Sequence, residues 1–386
     1  MNRHVLAHLL ALSLLVAWLV PATVCDARTP SPTALLAAYL KTLKPYERFS
    51  CRMVEKSYML DHPPFPAGYL FSEATTSVWI DGARRKEIST KTVHRFEKKR
   101  KTVGSSRSAS EQILARGRLL DILIDRAKGG AESVSVILDE SKPENQLHAA
   151  RLMPFQTGML LDERDSLPAI LKAGELTARE DRLDGREAVV LHGESEWGTH
   201  SLWLDPARDH VPLLLEARKQ GQHKGFDGQR LKDVPPSGGG PFGRSDVVVR
   251  AMAVEKVQGR WVVTGYTIDQ DYTRGAAKGR IHDRRTVDLH EVAFPENLDD
   301  AFVPTTPVPD GMQVTVIGQE MIKHEWRGGE IVKSVDRSSV AALESASFKP
   351  GGGAGWLFWV LLSVVLLAVG GGLWWLTRSR ASEAAS

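Results

Sequence analysis

Asp162, Glu163 and Asp165 are spaced closely enough for one carboxyl to donate a proton while a neighbour accepts one, the pairing that hydrolases use. The same residues precede Ser166 and Pro168, where carboxylates commonly cap a helix, so the cap is the better account. Ten histidines lie beyond the N-terminal segment, and none stands four residues from another in the arrangement that helical zinc proteases need. His290-Glu291 runs into Val292, Ala293 and Phe294, where a second ligand would have to be. Gly193-Glu-Ser195-Glu-Trp197 lacks the second glycine of a nucleophile elbow. Gly238-x-Gly240-x-x-Gly243 matches a dinucleotide fingerprint in letters only, because it contains Pro241 and leads into a strand-like segment instead of opening a helix. The sequence therefore predicts no catalytic residue, no metal ligand and no cofactor, and a protein that is not an enzyme.

The run Lys98, Lys99, Arg100 and Lys101, with Arg95 and Arg107 nearby, carries a different chemistry. A charged hairpin end is the plain reading, and attraction to anionic headgroups or cell-wall polymer is the sharper one. Each exposed cation near an anionic surface contributes roughly 1 kcal/mol.

The two ends determine where these residues would act. After Arg3 the chain is apolar from Val5 to Val20, interrupted only by His8 and Ser13, and then meets Pro21 and small residues, the layout of a secretory signal. Cleavage after Ala27 sets Cys25 and Ala27 at the small-residue positions, with a cut nearer Ala22 to Val24 as the alternative. Trp356 to Leu376 is uncharged and long enough to cross a hydrocarbon core of about 30 Å. Tryptophans stand at both of its ends, and Arg378 and Arg380 follow, which predicts a cytoplasmic C-terminus. The expectation is a single-pass cell-membrane protein with a large periplasmic or extracytoplasmic domain, in contact with the bilayer through its C-terminal helix.

About 320 residues remain between these segments, enough for one large domain or two ordinary ones. The 386-residue chain has 50 basic and 47 acidic side chains, a balance that argues against nucleic acid as a partner. It has two cysteines, and cleavage after Ala27 leaves Cys51 alone, so burial and not disulfides must stabilise the domain.

Ser31 to Leu43 places Leu35, Leu36, Tyr39, Leu40 and Leu43 at helical spacing behind a Ser-Pro start. Alternating runs then predict strands over Cys51–Leu60, Ala74–Ile80, Arg84–Ser89, Val93–Glu97 and Ser133–Leu138. Gln112 to Ile124 fits helix and strand equally, and Leu147 to Leu171 is helical in pieces. Glu175–Leu183, Glu187–Glu194, His200–Leu204 and Val211–Arg218 predict a meander with turns at Asp184-Gly185 and Asp205-Pro206. Strands resume at Val247–Val257, Trp261–Asp269 and Arg285–Phe294. The organisation read from this pass is a signal at 1–27, a β-rich domain at 28–300, and a Pro/Gly-rich extension and stalk at 301–355 with a small β element between Met312 and Val335. A transmembrane helix at 356–376 and a tail at 377–386 complete it.

Arg182 to Leu191 (RLDGREAVVL), His200 to Pro206 (HSLWLDP) and Val211 to Glu216 (VPLLLE) together resemble the second half of the periplasmic lipoprotein-carrier, or outer-membrane lipoprotein-sorting, superfamily. The chain is similar also to exported planctomycete-type proteins with a glycine-rich C-terminal anchor. The resemblance spans roughly Pro32 to Phe294. It implies an α+β fold in which a curved antiparallel β-sheet, a half-barrel, has covering helices over its apolar concave face, plus one C-terminal transmembrane helix. It implies a cradle for acyl chains, and so a tethered protein that holds or senses a lipid, acyl chain or lipoprotein. The alternative is an envelope protein-interaction or stress-sensor module without a lipid ligand. For an apolar ligand the candidates are Trp79, Met153, Phe155, Met159, Trp203 and Trp261, large or adaptable side chains on the sheet or the covering helix. Each has ordinary core packing as its competing explanation.

Overall fold

A computed structural model of the 386-residue chain describes residues 30–61, 65–97, 102–126, 132–139, 152–160, 165–225, 228–234, 241–274, 280–319 and 322–334. The signal at 1–27, the anchor at 356–376, the tail at 377–386, the basic run Lys98–Lys101, and Asp162 and Glu163 lie outside the described residues. Among the described residues no helix is long and apolar enough to cross a membrane. The chain divides into two compact units, Met1–Ile331 and Val332–Ser386, the second described only through residue 334.

Helix α1 (Pro32–Leu43) begins where the sequence predicts: the Ser31 hydroxyl accepts from the Ala34 N–H at 3.2 Å, and Pro32 occupies the first turn, where a missing N–H costs nothing. Its buried stripe is Leu35, Leu36 and Tyr39. The chain then folds up and down as β1 (Arg48–Asp61), β2 (Tyr69–Asp81), β3 (Arg84–Glu97), β4 (Thr102–Ala115), β5 (Arg118–Arg126) and β6 (Glu132–Asp139). Two short helices follow, α2 (Pro154–Thr157) and α3 (Leu167–Ala173). A second meander comprises β7 (Glu175–Leu183), β8 (Arg186–Ser195), β9 (Gly198–Asp205), β10 (Val211–Gln220), β11 (Phe242–Val257), β12 (Arg260–Arg274) and β13 (Arg280–Ala293). Three four-residue strands end the described chain: β14 (Gln313–Val316), β15 (His324–Arg327) and β16 (Glu330–Lys333).

Antiparallel pairing of β1 with β13, in the register Met53 opposite Leu289, joins the two meanders into one open sheet. Its order is β16-β15-β14-β6-β5-β4-β3-β2-β1-β13-β12-β11-β10-β9-β8-β7. A single apolar cluster takes side chains from β2, β1 and β13 through β8, and from all three helices. Eight flat strands would span roughly 34 Å at ~4.8 Å spacing, and the longest of the helices has 12 residues, about 18 Å. The sheet must curve around the helices for both groups to share one core, which gives the expected half-barrel with the helices on its concave side.

The opposite, outer face carries a strap. After β13 the chain crosses behind β1 to β6. The Arg48 guanidinium donates to the Glu296 carbonyl at 2.6 Å, Arg84 pairs with Asp299 at 2.8 Å and covers the Phe302 ring, and the Lys86 ammonium donates to the Val303 carbonyl at 2.6 Å. The Thr305 and Thr306 N–H groups donate to the Glu111 carboxylate at 2.8 and 2.6 Å. This crossover lets β14 lie parallel to β6, with Val314 opposite Val136, since parallel neighbours need a long connection. A second core of Ile122, Val136, Val314, Val316 and Trp326 seals the join. The β element expected after Met312 thus belongs to the main sheet.

Candidate functional site

Alternation along the strands assigns each side chain to one wall of the half-barrel. On β1 the concave wall receives Phe49, Cys51, Met53, Glu55 and Ser57; on β13 it receives Leu289, Val287, Arg285 and Asp283. The registers Ser57 opposite Arg285 and Gln270 opposite Asp283 bring these residues side by side. The wall therefore changes character along the strands. Towards the end of β1 that begins at Arg48 it is apolar and lies under the helices. Towards the other end it is polar and still buried, with Glu55, Ser57, Gln270 and Asp283 each less than a tenth exposed.

Three short segments cover the apolar half. Their meeting point is Gly158, whose φ of +67° suits glycine and where an added Cβ would lie 3.1 Å from Pro168 Cδ and 3.2 Å from Leu43 Cδ1. The Tyr266 hydroxyl donates to the Leu152 carbonyl at 2.6 Å and the Gln156 amide to the Val263 carbonyl at 2.7 Å, while Phe155 meets Tyr266 edge-on at 5.7 Å. Otherwise the cover is held by Leu35, Leu36, Tyr39, Leu152, Met153, Leu160, Leu167 and Leu171 against the strands. Each fully buried aliphatic side chain contributes about 1.5–3 kcal/mol, without directional demands. An apolar ligand of similar bulk could replace such contacts. Burial pushes the Tyr266 phenol far above its usual range, so it remains a neutral donor.

In the polar half, the Ser57 hydroxyl donates to Glu55 Oε1 at 2.9 Å, Arg285 Nε lies 3.8 Å from the same oxygen, and Arg285 Nη2 lies 3.3 Å from Asp283 Oδ2. Two carboxylates thus share one guanidinium. Burial raises the pKa of Asp283, and the Arg285 charge only partly opposes it. Asp283 Oδ1, Arg285 Nη1, Gln156 Oε1 and the Tyr39 hydroxyl are buried with no hydrogen-bond partner among the described residues. A buried polar atom left unpaired costs about 1–3 kcal/mol, so these positions favour an added polar group.

Met153 and Phe155, two of the ligand-contacting residues expected from the sequence, belong to the cover and are 0% and 2% exposed, with Met153 Sδ 3.9 Å from Cys51 Sγ. Met159 is half-buried just beyond α2, its N–H donating to the Thr157 hydroxyl at 3.2 Å. Trp261 packs at the margin of the core, with Arg208 5.0 Å and Lys256 5.8 Å from its ring. Trp79 and Trp203 stand on the outer face. Trp79 alternates with buried Val78 and Ile80 and takes the Lys86 ammonium at 5.7 Å from its ring; Trp203 alternates with Leu202 and Leu204 and donates to Asp181 at 3.2 Å. The structure thus brings together Met153, Phe155 and the margin residue Trp261, and sets Trp79 and Trp203 apart. Sequence reading passed over Glu55, Ser57, Gln270, Asp283 and Arg285. The available signal was parity: each continues the inward register of an apolar strand with a polar side chain. No group of metal-binding residues is present among the described residues.

No family model matches the chain, and no curated protein matches it. Solved structures that match the chain include a DUF1329 family protein from Desulfovibrio piger, 12% identical over 71% of this chain and 97% of that one, with a TM-score of 0.32. A LolA superfamily protein from Nitrosomonas europaea is 10% identical over 71% of this chain and 98% of its own, with a TM-score of 0.33. A chain of the Pseudomonas aeruginosa MucA/MucB complex is 12% identical over 69% of this chain and 100% of its own, with a TM-score of 0.17. The class that the geometry itself defines is an open antiparallel half-barrel with a helical cover.

Proposed function

We propose that this chain is a binding protein, not an enzyme, that holds or senses an acyl-chain lipid or the lipid moiety of a lipoprotein in its concave face. It is tethered to the cell membrane by Trp356 to Leu376, faces the extracytoplasmic side, and is a membrane-anchored relative of the lipoprotein carriers. The observation that carries this reading is the amphipathic division of the concave wall. The apolar half lies under segments held mainly by non-directional contacts. The buried half beside it contains a guanidinium whose Nη1 has no hydrogen-bond partner among the described residues. An amphiphile matches this division, with its chain displacing cover residues such as Met153 and Phe155 and its polar end reaching Arg285. A tethered protein of this kind would present or hand over its ligand locally.

The test is photocrosslinking of the full-length chain in cells fed a fatty acid carrying a diazirine. Crosslinked peptides containing 152–160 and 262–270 are expected. Adducts confined to 356–376, the bilayer-spanning segment, would overturn the reading.

A further inference from the structure

Outside the concave face, at the rim formed by the end of α1 and the β2–β3 and β11–β12 turns, lies an open cleft of about 720 Å³. Four cations line it, Lys41, Lys44, Arg48 and Arg260, against two carboxylates, Glu47 and Asp81. The two acids are not equivalent. Asp81 is committed to Arg48 at 3.0 Å and to Arg84, which hold its carboxyl below the usual range. Lys41, Lys44 and Arg260 have no carboxylate partner among the described residues.

Two of the cations are pre-positioned. Arg260 lies over the Phe294 ring, 5.0 Å from its centroid, so its guanidinium is held at the cleft wall. Arg48 is clamped between Asp81 and the Glu296 carbonyl. The floor is apolar, formed by Pro45, Phe294 and Pro295; Tyr46 meets Phe49 and Phe294 edge-on at 5.1 and 5.5 Å, and Phe49 lies tilted against Phe294 at 5.9 Å. A concave site with two more positive than negative charges, two fixed planar guanidiniums and two ammonium groups matches a doubly charged phosphate better than a singly charged carboxylate.

We propose that this rim cleft binds a phosphate group, the cations engaging its oxygens and the Phe294 and proline floor receiving the apolar part of the molecule that carries it. The same chemistry is offered by a phosphomonoester lipid headgroup and by free phosphate, and titration of the full chain in an uncharged detergent separates them. One arm uses inorganic phosphate and the other lysophosphatidate, each with the wild type, with Lys44→Gln/Arg260→Gln and with Arg285→Met. Saturable phosphate binding that is weakened at least tenfold in the rim variant and retained in Arg285→Met, or a class of lysophosphatidate sites with the same dependence beside any that Arg285→Met removes, is the expected result. Binding of phosphate itself identifies a free-phosphate site; binding of lysophosphatidate alone identifies a headgroup site. An unchanged melting temperature of the rim variant checks that it folds, as exposed cations without ion-pair partners allow. Absence of saturable binding in both arms, or lack of any binding that is lost in Lys44→Gln/Arg260→Gln and retained in Arg285→Met, would overturn the proposal and leave the concave-face reading untouched.

Discussion

Glu111 is fully buried on the outer face and pairs with Lys86 at 2.7 Å, itself 2% exposed. Burial alone would raise its pKa, yet the Lys86 ammonium and the Thr305 and Thr306 donors outweigh that and draw it down to about 2. The folded value lies below the ordinary ~4.3, so this contribution is complete above about pH 4. It is lost as the pH falls towards about 2. Glu111→Gln leaves a buried ammonium uncompensated and should destabilise the fold by about 3–5 kcal/mol at neutral pH, whereas Glu111→Gln combined with Lys86→Met should recover most of that loss. Denaturant titration at pH 7 measures both. Arg285 behaves differently. Arg285→Met leaves Glu55 and Asp283 facing each other in the wall and should cost about 3 kcal/mol at pH 7. Because the folded pKa of Asp283 lies above its ordinary value, the folded protein takes up that proton first. The deficit should therefore shrink as the pH falls through the range above about 4, which melting curves between pH 8 and pH 4 would record. A constant deficit would contradict the shared-guanidinium account.

At the scale of elements, the cover is positioned by close approach. A Cβ at Gly174, which ends α3, would lie 2.3 Å from the Glu194 carbonyl oxygen of β8, a backbone atom that cannot move aside alone. Gly174→Ala should lift α3 from the sheet, costing about 1–3 kcal/mol, and hydrogen exchange should show faster opening of residues 167–173 with β11 to β13 unchanged. The strands from Glu175 to Arg218 were legible because most inward residues of β8 to β10 are aliphatic and the turns contain Asp184-Gly185 and Asp205-Pro206. The β4–β5 hairpin was not, because its turn is Arg116-Gly117, with φ of +54° and +71°, and arginine is not a residue expected at such a position. The strand extensions of β12 and β13 were hidden by their charges. Arg284 pairs with Asp269 at 2.7 Å and Arg280 with Asp271 at 2.6 Å, cross-strand pairs that look like loop composition until the register is known.

At the scale of the whole fold, the family resemblance implies a half-barrel with covering helices, and the described residues of Met1–Ile331 have that form. The strap was not foreseeable, because its anchors Arg48, Lys86 and Glu111 are scattered over three strands and meet only once the sheet exists. The polar half of the concave wall was hidden for the same reason, since Glu55 and Arg285 are joined by the β1–β13 pairing that closes the two meanders into one sheet. Trp79 and Trp203, prominent as letters, lie outside that wall because parity and not size decides which face a strand residue takes. If the concave face holds an amphiphile, the purified protein should carry one. Mass spectrometry of organic extracts from the full-length protein, purified beside a control membrane protein in the same detergent, tests it most directly. A specific lipid at about one per chain, strongly reduced in Arg285→Met, is the predicted result; an extract indistinguishable from the control would contradict it.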